Sequence, residues 1–515
     1  MKNIACILAA CLAAGCYEDK GHYDYVEINE VTIGGLPSQT TITLVDTARF
    51  FPELTFANPA DTAGFTFLWR ENSHDISTEL NLAYVPTYIN NNITLELYVK
   101  DRHGIAYRAT TSVRVDSPYK YGFALLAEKE GKTAFHFLGR SNETGRYTPY
   151  LDMFAADPLG AGPLALATST VNSLDEIIIF QQSGSLSLNG QNLERAVLLS
   201  DEFSGGAYPA GVNIISGYYN MGVDALLGDD GNLYVRVNPV SGVLHATYFM
   251  NMPHYFARPG TRVGRIIPTH PYTFSLWTHD EGNNRLLAIT SETYPGNNNI
   301  ATMGAELTIN EGAAPAGFTS VNNMGADRLV YAADHRALNT QNITNLRNIL
   351  KKTDGSYEVQ SFTVSRSGLN LTMSAWIQQP FAGNGLVTDN TPYALRSDGK
   401  YIFFAVGGKL YSVEFRVING IEQQFLQEVH DFGTDITLLT RADNSIDPDV
   451  GGEALGVALA TGKFCIIMVT DPVLLDPTNA WQNGKVFESA ANLGRIVSVL
   501  WKYGGSNSRF TNDSW

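Results

Sequence analysis

Cys16 is the residue whose type and surroundings most directly imply a reaction. In Leu12-Ala13-Ala14-Gly15-Cys16, small side chains let the backbone enter a signal peptidase, and the following thiol can accept a diacylglyceryl group. Lys2 supplies a positive start, and Ile4 to Ala14 form an apolar run too short to span a bilayer. Leu8-Ala9-Ala10-Cys11 is a rival cut, but it would leave Leu12-Ala13-Ala14 at the new N-terminus, whereas cutting before Cys16 exposes polar Tyr17-Glu18-Asp19-Lys20. The expectation is a signal peptide over residues 1–15, lipidation of Cys16 and a tether through residue 25. Several acyl chains, at about 0.8 kcal/mol per buried CH₂, make such an anchor effectively permanent.

Elsewhere the reactive residue types are scattered. With Cys6 and Cys11 in the signal peptide and Cys16 lipidated, Cys465 is the one free thiol. It lies in the apolar run Lys463 to Val469 and reads as a small core residue. No Gly-x-Ser-x-Gly elbow, His-Glu-x-x-His motif or phosphate-cradling loop occurs, so no catalytic residue is assigned. Ser117-Pro118-Tyr119-Lys120 fits Ser-x-x-Lys in spacing, but Pro118 marks an interdomain hinge and not the start of a helix. His279 and His335, each beside an aspartate, read as turn or surface histidines. Asp443 to Asp449 has oxygen ligands at alternating places that could hold calcium, but it lacks the glycine and distal glutamate of an EF-hand loop; a solvated acidic loop is the plainer reading, and no cofactor is expected. The net charge of −16, with no basic cluster, argues against nucleic acid as a partner.

The chemistry that stands out is recognition by flat rings. Tyr208, Tyr218-Tyr219, Tyr248-Phe249, His254-Tyr255-Phe256, Tyr272, Trp277 and Tyr294 are interleaved with Gly, Pro and Asn. Exposed rings of this kind stack on sugars or peptide side chains while their polar tips hydrogen-bond. Tyr208, Tyr218, Tyr219, His254, Tyr255 and Trp277 are therefore the candidate ligand contacts, although any single ring can instead fill a core.

The elements that must position these rings are strands. From residue 26 to 116, short alternating runs such as Thr41 to Val45, Phe65 to Trp69, Ile93 to Val99 and Ala106 to Val115 predict a β-sandwich. From 117 to 515 an apolar strand, a Gly-containing turn and a second strand recur, as in Ala225 to Tyr234, Tyr393 to Tyr401 and Val406 to Tyr411, with weaker copies at Thr353 to Tyr357 and Gln482 to Phe487. Their Asp-Gly and Asn-Gly pairs suit type I′ turns. Hairpins repeated over nearly 400 residues, without convincing long helices, predict a β-propeller of about seven blades, with stacked sandwiches as the alternative. The fold class is all-β.

Trp69 at the end of one strand, Tyr98-Val99-Lys100-Asp101, and Gly104-Ile105-Ala106-Tyr107 leading into Val113-Arg114-Val115 resemble the PKD-like domain of Bacteroidetes lipoproteins, which begin much as Tyr17-Glu18-Asp19-Lys20-Gly21 does here. Glu18 and Asp19 resemble their surface-export signal. The resemblance implies a lipid-anchored protein on the outer face of the outer membrane, working beside a SusC-like transporter and a SusD-like lipoprotein and binding an oligosaccharide or peptide without turning it over. The alternative is a surface hydrolase using carboxylates on the propeller face.

Overall fold

The computed structural model describes residues 28–503 apart from 45, 142–143, 172–173, 220–221, 238–244, 246, 268–274, 291–302, 336–341, 443–453 and 477. Cys16 and its tether, Tyr272, Tyr294 and the Asp443 to Asp449 loop lie outside the described residues. The chain divides into two compact units, one ending at Asp116 and the other beginning at Ser117.

The first unit is a β-sandwich. Its main sheet has five strands, in the order Gln39–Thr43, Ala106–Asp116, Asn90–Lys100, Thr66–Glu71 and His74–Ser77, and two short antiparallel pairs accompany it. Alternation decides which side chains go inside. Ile93, Leu95, Leu97 and Val99 point into the core while the residues between them face outward, the period of two expected of a half-buried strand. Trp69 is wholly buried against Phe50, with its indole Nε1 donating to the Leu80 carbonyl at 3.0 Å. Trp69→Ala is expected to cost this unit about 3–5 kcal/mol through the cavity it leaves. Denaturant unfolding of residues 26–116 would test both that loss and the prediction that this segment folds alone.

The second unit is a seven-bladed β-propeller. Its described strands form seven sheets in succession along the chain, antiparallel but for one outer pairing in blade five, and in blades two to seven the strand that leads the antiparallel run is the innermost. These inner strands are Pro163–Val171, Ile214–Tyr218, Val263–Ile267, Arg328–His335, Tyr393–Leu395 and Ile436–Arg441. Blade one differs. Its second, third and outermost strands are Tyr121–Lys129, Lys132–Arg140 and Tyr147–Tyr150, but its innermost strand is Arg495–Tyr503, from the far end of the chain. That strand packs beside the inner strands of both blade two and blade seven, so the ring is closed. Blade five gains an outer strand, Thr308–Asn310, paired in parallel with Asn370–Thr372.

Because each blade is covered on both faces by its neighbours, its middle strands are largely buried, and the polar residues they carry are mostly hydrogen-bonded or ion-paired. Every residue of Val223–Gly228, Ser275–Asp280 and Ala454–Leu459 is buried. Cys465 sits in the Phe464–Met468 strand as a core residue, its thiol pushed up to about 12 by burial.

The recurring Asp-Gly turns differ from the type I′ expectation. At Asp230-Gly231, Asp354-Gly355 and Asp398-Gly399 only the glycine has positive φ. Each glycine N–H bonds the carbonyl three residues back. Each aspartate accepts the backbone N–H two residues on, from Asn232, Ser356 and Lys400 respectively. Aspartate is selected there for its side-chain bond and not for tolerance of a left-handed backbone. Asn419-Gly420, with both residues at positive φ, is the pair that meets the type I′ requirement. Gln482-Asn483-Gly484 is no hairpin turn, because it belongs to the short helix Ala480–Gly484.

Candidate functional site

The aromatic candidates separate into core and surface. Trp277 is fully buried in the second strand of blade four, Ser275–Asp280, among Ile267, Leu286, Leu346 and Phe362. Its Nε1 donates to Ser275 Oγ at 3.0 Å. The expectation of a ligand-facing Trp277 is corrected: a middle strand has blades on both sides, so neither face of the ring reaches solvent. Tyr219 is likewise buried, its phenol pushed well above the usual range by desolvation. Tyr208 is half-buried and packs edge-on to Phe203 at 5.3 Å. Tyr218 is half-buried beside Val223, Ala225 and Leu276. His254 is half-buried, edge-on to Phe256 at 4.9 Å, and burial holds its imidazole below the usual range.

Tyr255 is the candidate that stands in solvent, 83% exposed. It ends a stretch in which Tyr248 is 63%, Met250 57% and Met252 70% exposed, while Phe249 between them is buried. Phe249 bridges in parallel to Phe203, and Thr247 Oγ1 donates to the Val237 carbonyl, so this stretch runs along the outer edge of blade three. Its extended backbone turns Phe249 inward, stacked on Phe203 with centroids 5.3 Å apart, and the side chains on either side outward. The edge is apolar, aromatic and rich in methionine, a side chain that adapts to irregular partners.

Between blades two and three lies a cluster of charges that the sequence reading missed. Arg236, at the end of its strand, is buried; its Nε donates to Asp224 Oδ2 at 2.7 Å and its Nη1 to Glu202 Oε1 at 3.1 Å. Its guanidinium lies 4.5 Å from the Phe249 ring centre. His245, at positive φ, meets Glu202 through Nδ1 and Glu176 through Nε2, the latter at 2.8 Å. One position along the strand from Glu176, Asp175 accepts from Lys502 of the closing strand, and both side chains are buried. Chemically the cluster holds carboxylates in ion pairs across a blade interface. The available signal was single charged residues inside otherwise apolar strands, as in Val223–Gly228. Among the described residues, no group of three or more His, Cys, Asp or Glu side chains is placed to hold a metal ion.

Residues 16–156 match the PKD-like family. No curated protein matches the chain. Similar solved structures include a quinonprotein alcohol dehydrogenase-like protein from Bacteroides thetaiotaomicron, 13% identical, covering 93% of this chain and 100% of that one with a TM-score of 0.37. A protein from Lactobacillus plantarum is 14% identical, with 74% and 98% covered and a TM-score of 0.42. The β-propeller domain of a Myceliophteria thermophila protein is 11% identical, with 68% and 97% covered and a TM-score of 0.38. The N-terminal match and the closed ring of sheets together make this chain a PKD-like β-sandwich followed by a seven-bladed β-propeller.

Proposed function

We propose that the protein is a non-catalytic, lipid-anchored cell-surface component that captures a glycan or peptide beside a SusC/SusD-type outer-membrane transporter. The observation that carries the capture reading is the outer edge of blade three, where Tyr248, Met250, Met252 and Tyr255 offer apolar surface to solvent. Rings so exposed gain contact area on a ligand at little conformational cost. The anchor reading rests on Leu12-Ala13-Ala14-Gly15-Cys16. Cys16→Ala should abolish incorporation of a labelled fatty acid and release the protein from membranes, whereas Cys11→Ala should leave both intact; the opposite pattern would move the lipidation site to Cys11. Co-purification from solubilised outer membranes should recover a SusC/SusD-type pair, and its absence would remove the transporter from the proposal.

A hydrolase is the second reading, favoured by Glu176 and Glu202 flanking His245. Glu202 is already engaged by Arg236 and both carboxylates by His245, which supports binding over turnover. Release of products from a surface glycan or peptide by the purified protein would reverse that preference.

A further inference from the structure

Blade five presents a polar row to blade six. Register sets His335 opposite Asn345, Arg347 opposite Ser361 and Asn345 opposite Thr363. Directly opposed residues of antiparallel strands share a face. On that same face Ala333, Ile349 and Val359 pack with Tyr393, Leu395, Phe404 and Phe415 of blade six, which closes the row on its apolar side.

Arg347 is buried, its side chain only 6% exposed. Its Nη2 donates to Glu422 Oε2 at 2.9 Å. Its guanidinium carbon sits 3.7 Å from the Phe415 ring centre, so close that the two planes must lie nearly face to face. The N–H bonds then run outward in the guanidinium plane and not into the ring. Nε and Nη1 have no acceptor among the described residues, and Ser361 Oγ and His335 Nδ1 have no partner there either. Thr363 Oγ1 donates to Asn345 Oδ1 at 2.6 Å, so neither of these oxygens answers the Arg347 donors. The neighbouring charges are also committed. Arg441 binds the Asp334 carbonyl and carboxylate, and Asp398 binds Arg396 and the Lys400 N–H. Unanswered donors on a buried cation are among the costliest defects a folded protein can carry.

We propose that this polar row between blades five and six binds a small oxyanion, a carboxylate or phosphate group, through Arg347 Nε and Nη1, Ser361 Oγ and His335 Nδ1. These groups are donors or can donate, and the nearest carboxylate, Glu422, occupies another nitrogen of Arg347. An acceptor-only ligand fits such a set and a cation does not. The row is separate from the aromatic edge of blade three and stands whether or not that edge captures a nutrient. Burial beside Arg347 and Arg441 pushes the His335 imidazole down to about 3. An anion among these donors would oppose that effect.

The test uses the full chain in an anion-poor buffer. Inorganic phosphate, acetate and glucuronate are titrated separately by calorimetry, and the three arms distinguish free phosphate, a simple carboxylate and an acidic sugar. At least one should bind with one-to-one stoichiometry. Arg347→Lys, which keeps the charge but loses Nε and Nη1, should weaken that binding at least tenfold, and Ser361→Ala should weaken it severalfold. Should Arg347→Lys fail to fold, the wild-type protein still decides: the bound anion should raise the NMR titration midpoint of His335 by about one pH unit or more. No saturable binding of any of the three anions, binding indifferent to Ser361→Ala and Arg347→Lys, or binding that leaves the His335 midpoint unmoved would each overturn the assignment.

Discussion

Lys502→Ala is expected to destabilise the propeller by about 3–5 kcal/mol, the usual cost of removing one partner from a buried ion pair. Lys502 and Asp175 are both buried, and burial holds the ammonium below its usual range despite the carboxylate beside it. Truncation would strand Asp175, which has little room to turn toward water: a Cβ added at Gly190 would lie 2.4 Å from its carboxyl carbon. The pair also joins the innermost strand of blade one to blade two, so the loss falls where the ring is closed. Lys502→Met combined with Asp175→Leu should recover most of the stability, because it removes both charges and keeps the volume. Urea unfolding of the full chain measures all three proteins. A single variant as stable as the wild type would mean that the pair contributes nothing to closure.

The second large effect separates core from surface among the aromatic residues. Trp277→Ala should cost about 3–5 kcal/mol, since the ring is wholly enclosed between blades. Tyr255→Ala should change stability by no more than about 0.5 kcal/mol. If the blade-three edge recognises a ligand, the same variant should weaken binding by about 1–3 kcal/mol. Thermal melts and titrations on the two variants give the comparison. Equal stability losses would place Tyr255 in a core, and unaltered affinity in Tyr255→Ala would take the edge out of recognition.

Local features of the sequence led to the right architecture because each is a local consequence of packing. Alternation around Leu97 and Val99 marks a strand with one wet face, and hairpin spacing over a known length limits how many blades can fit. The same local reading failed at Trp277, whose text of Ser275 to Asp280 looks half polar; Thr278, His279 and Asp280 are nonetheless buried, because blades cover both sides, with Thr278 Oγ1 and His279 Nε2 hydrogen-bonded and Asp280 paired with Arg285. Tyr255 was legible because the proline and asparagine around it keep the chain out of a central strand. The charged clusters were not. Arg236 finds Glu202 across 34 positions and Lys502 finds Asp175 across 327, and neither separation leaves a pattern in a single sequence.

The closing strand also imposes an order of events. Arg495 bonds Glu128 across 367 positions, so during synthesis the first blade must wait for nearly the whole chain to emerge before its inner strand arrives. Until then the later blades can form only an open arc, whose two end blades expose apolar faces that the finished ring covers. Contacts of such long range make assembly slow relative to the N-terminal sandwich, whose pairings are complete by Asp116. Under the export proposed above, this delay has a use: the larger unit would not lock shut until its last strand had left the translocation pore, so the final step of folding would follow transport and not precede it.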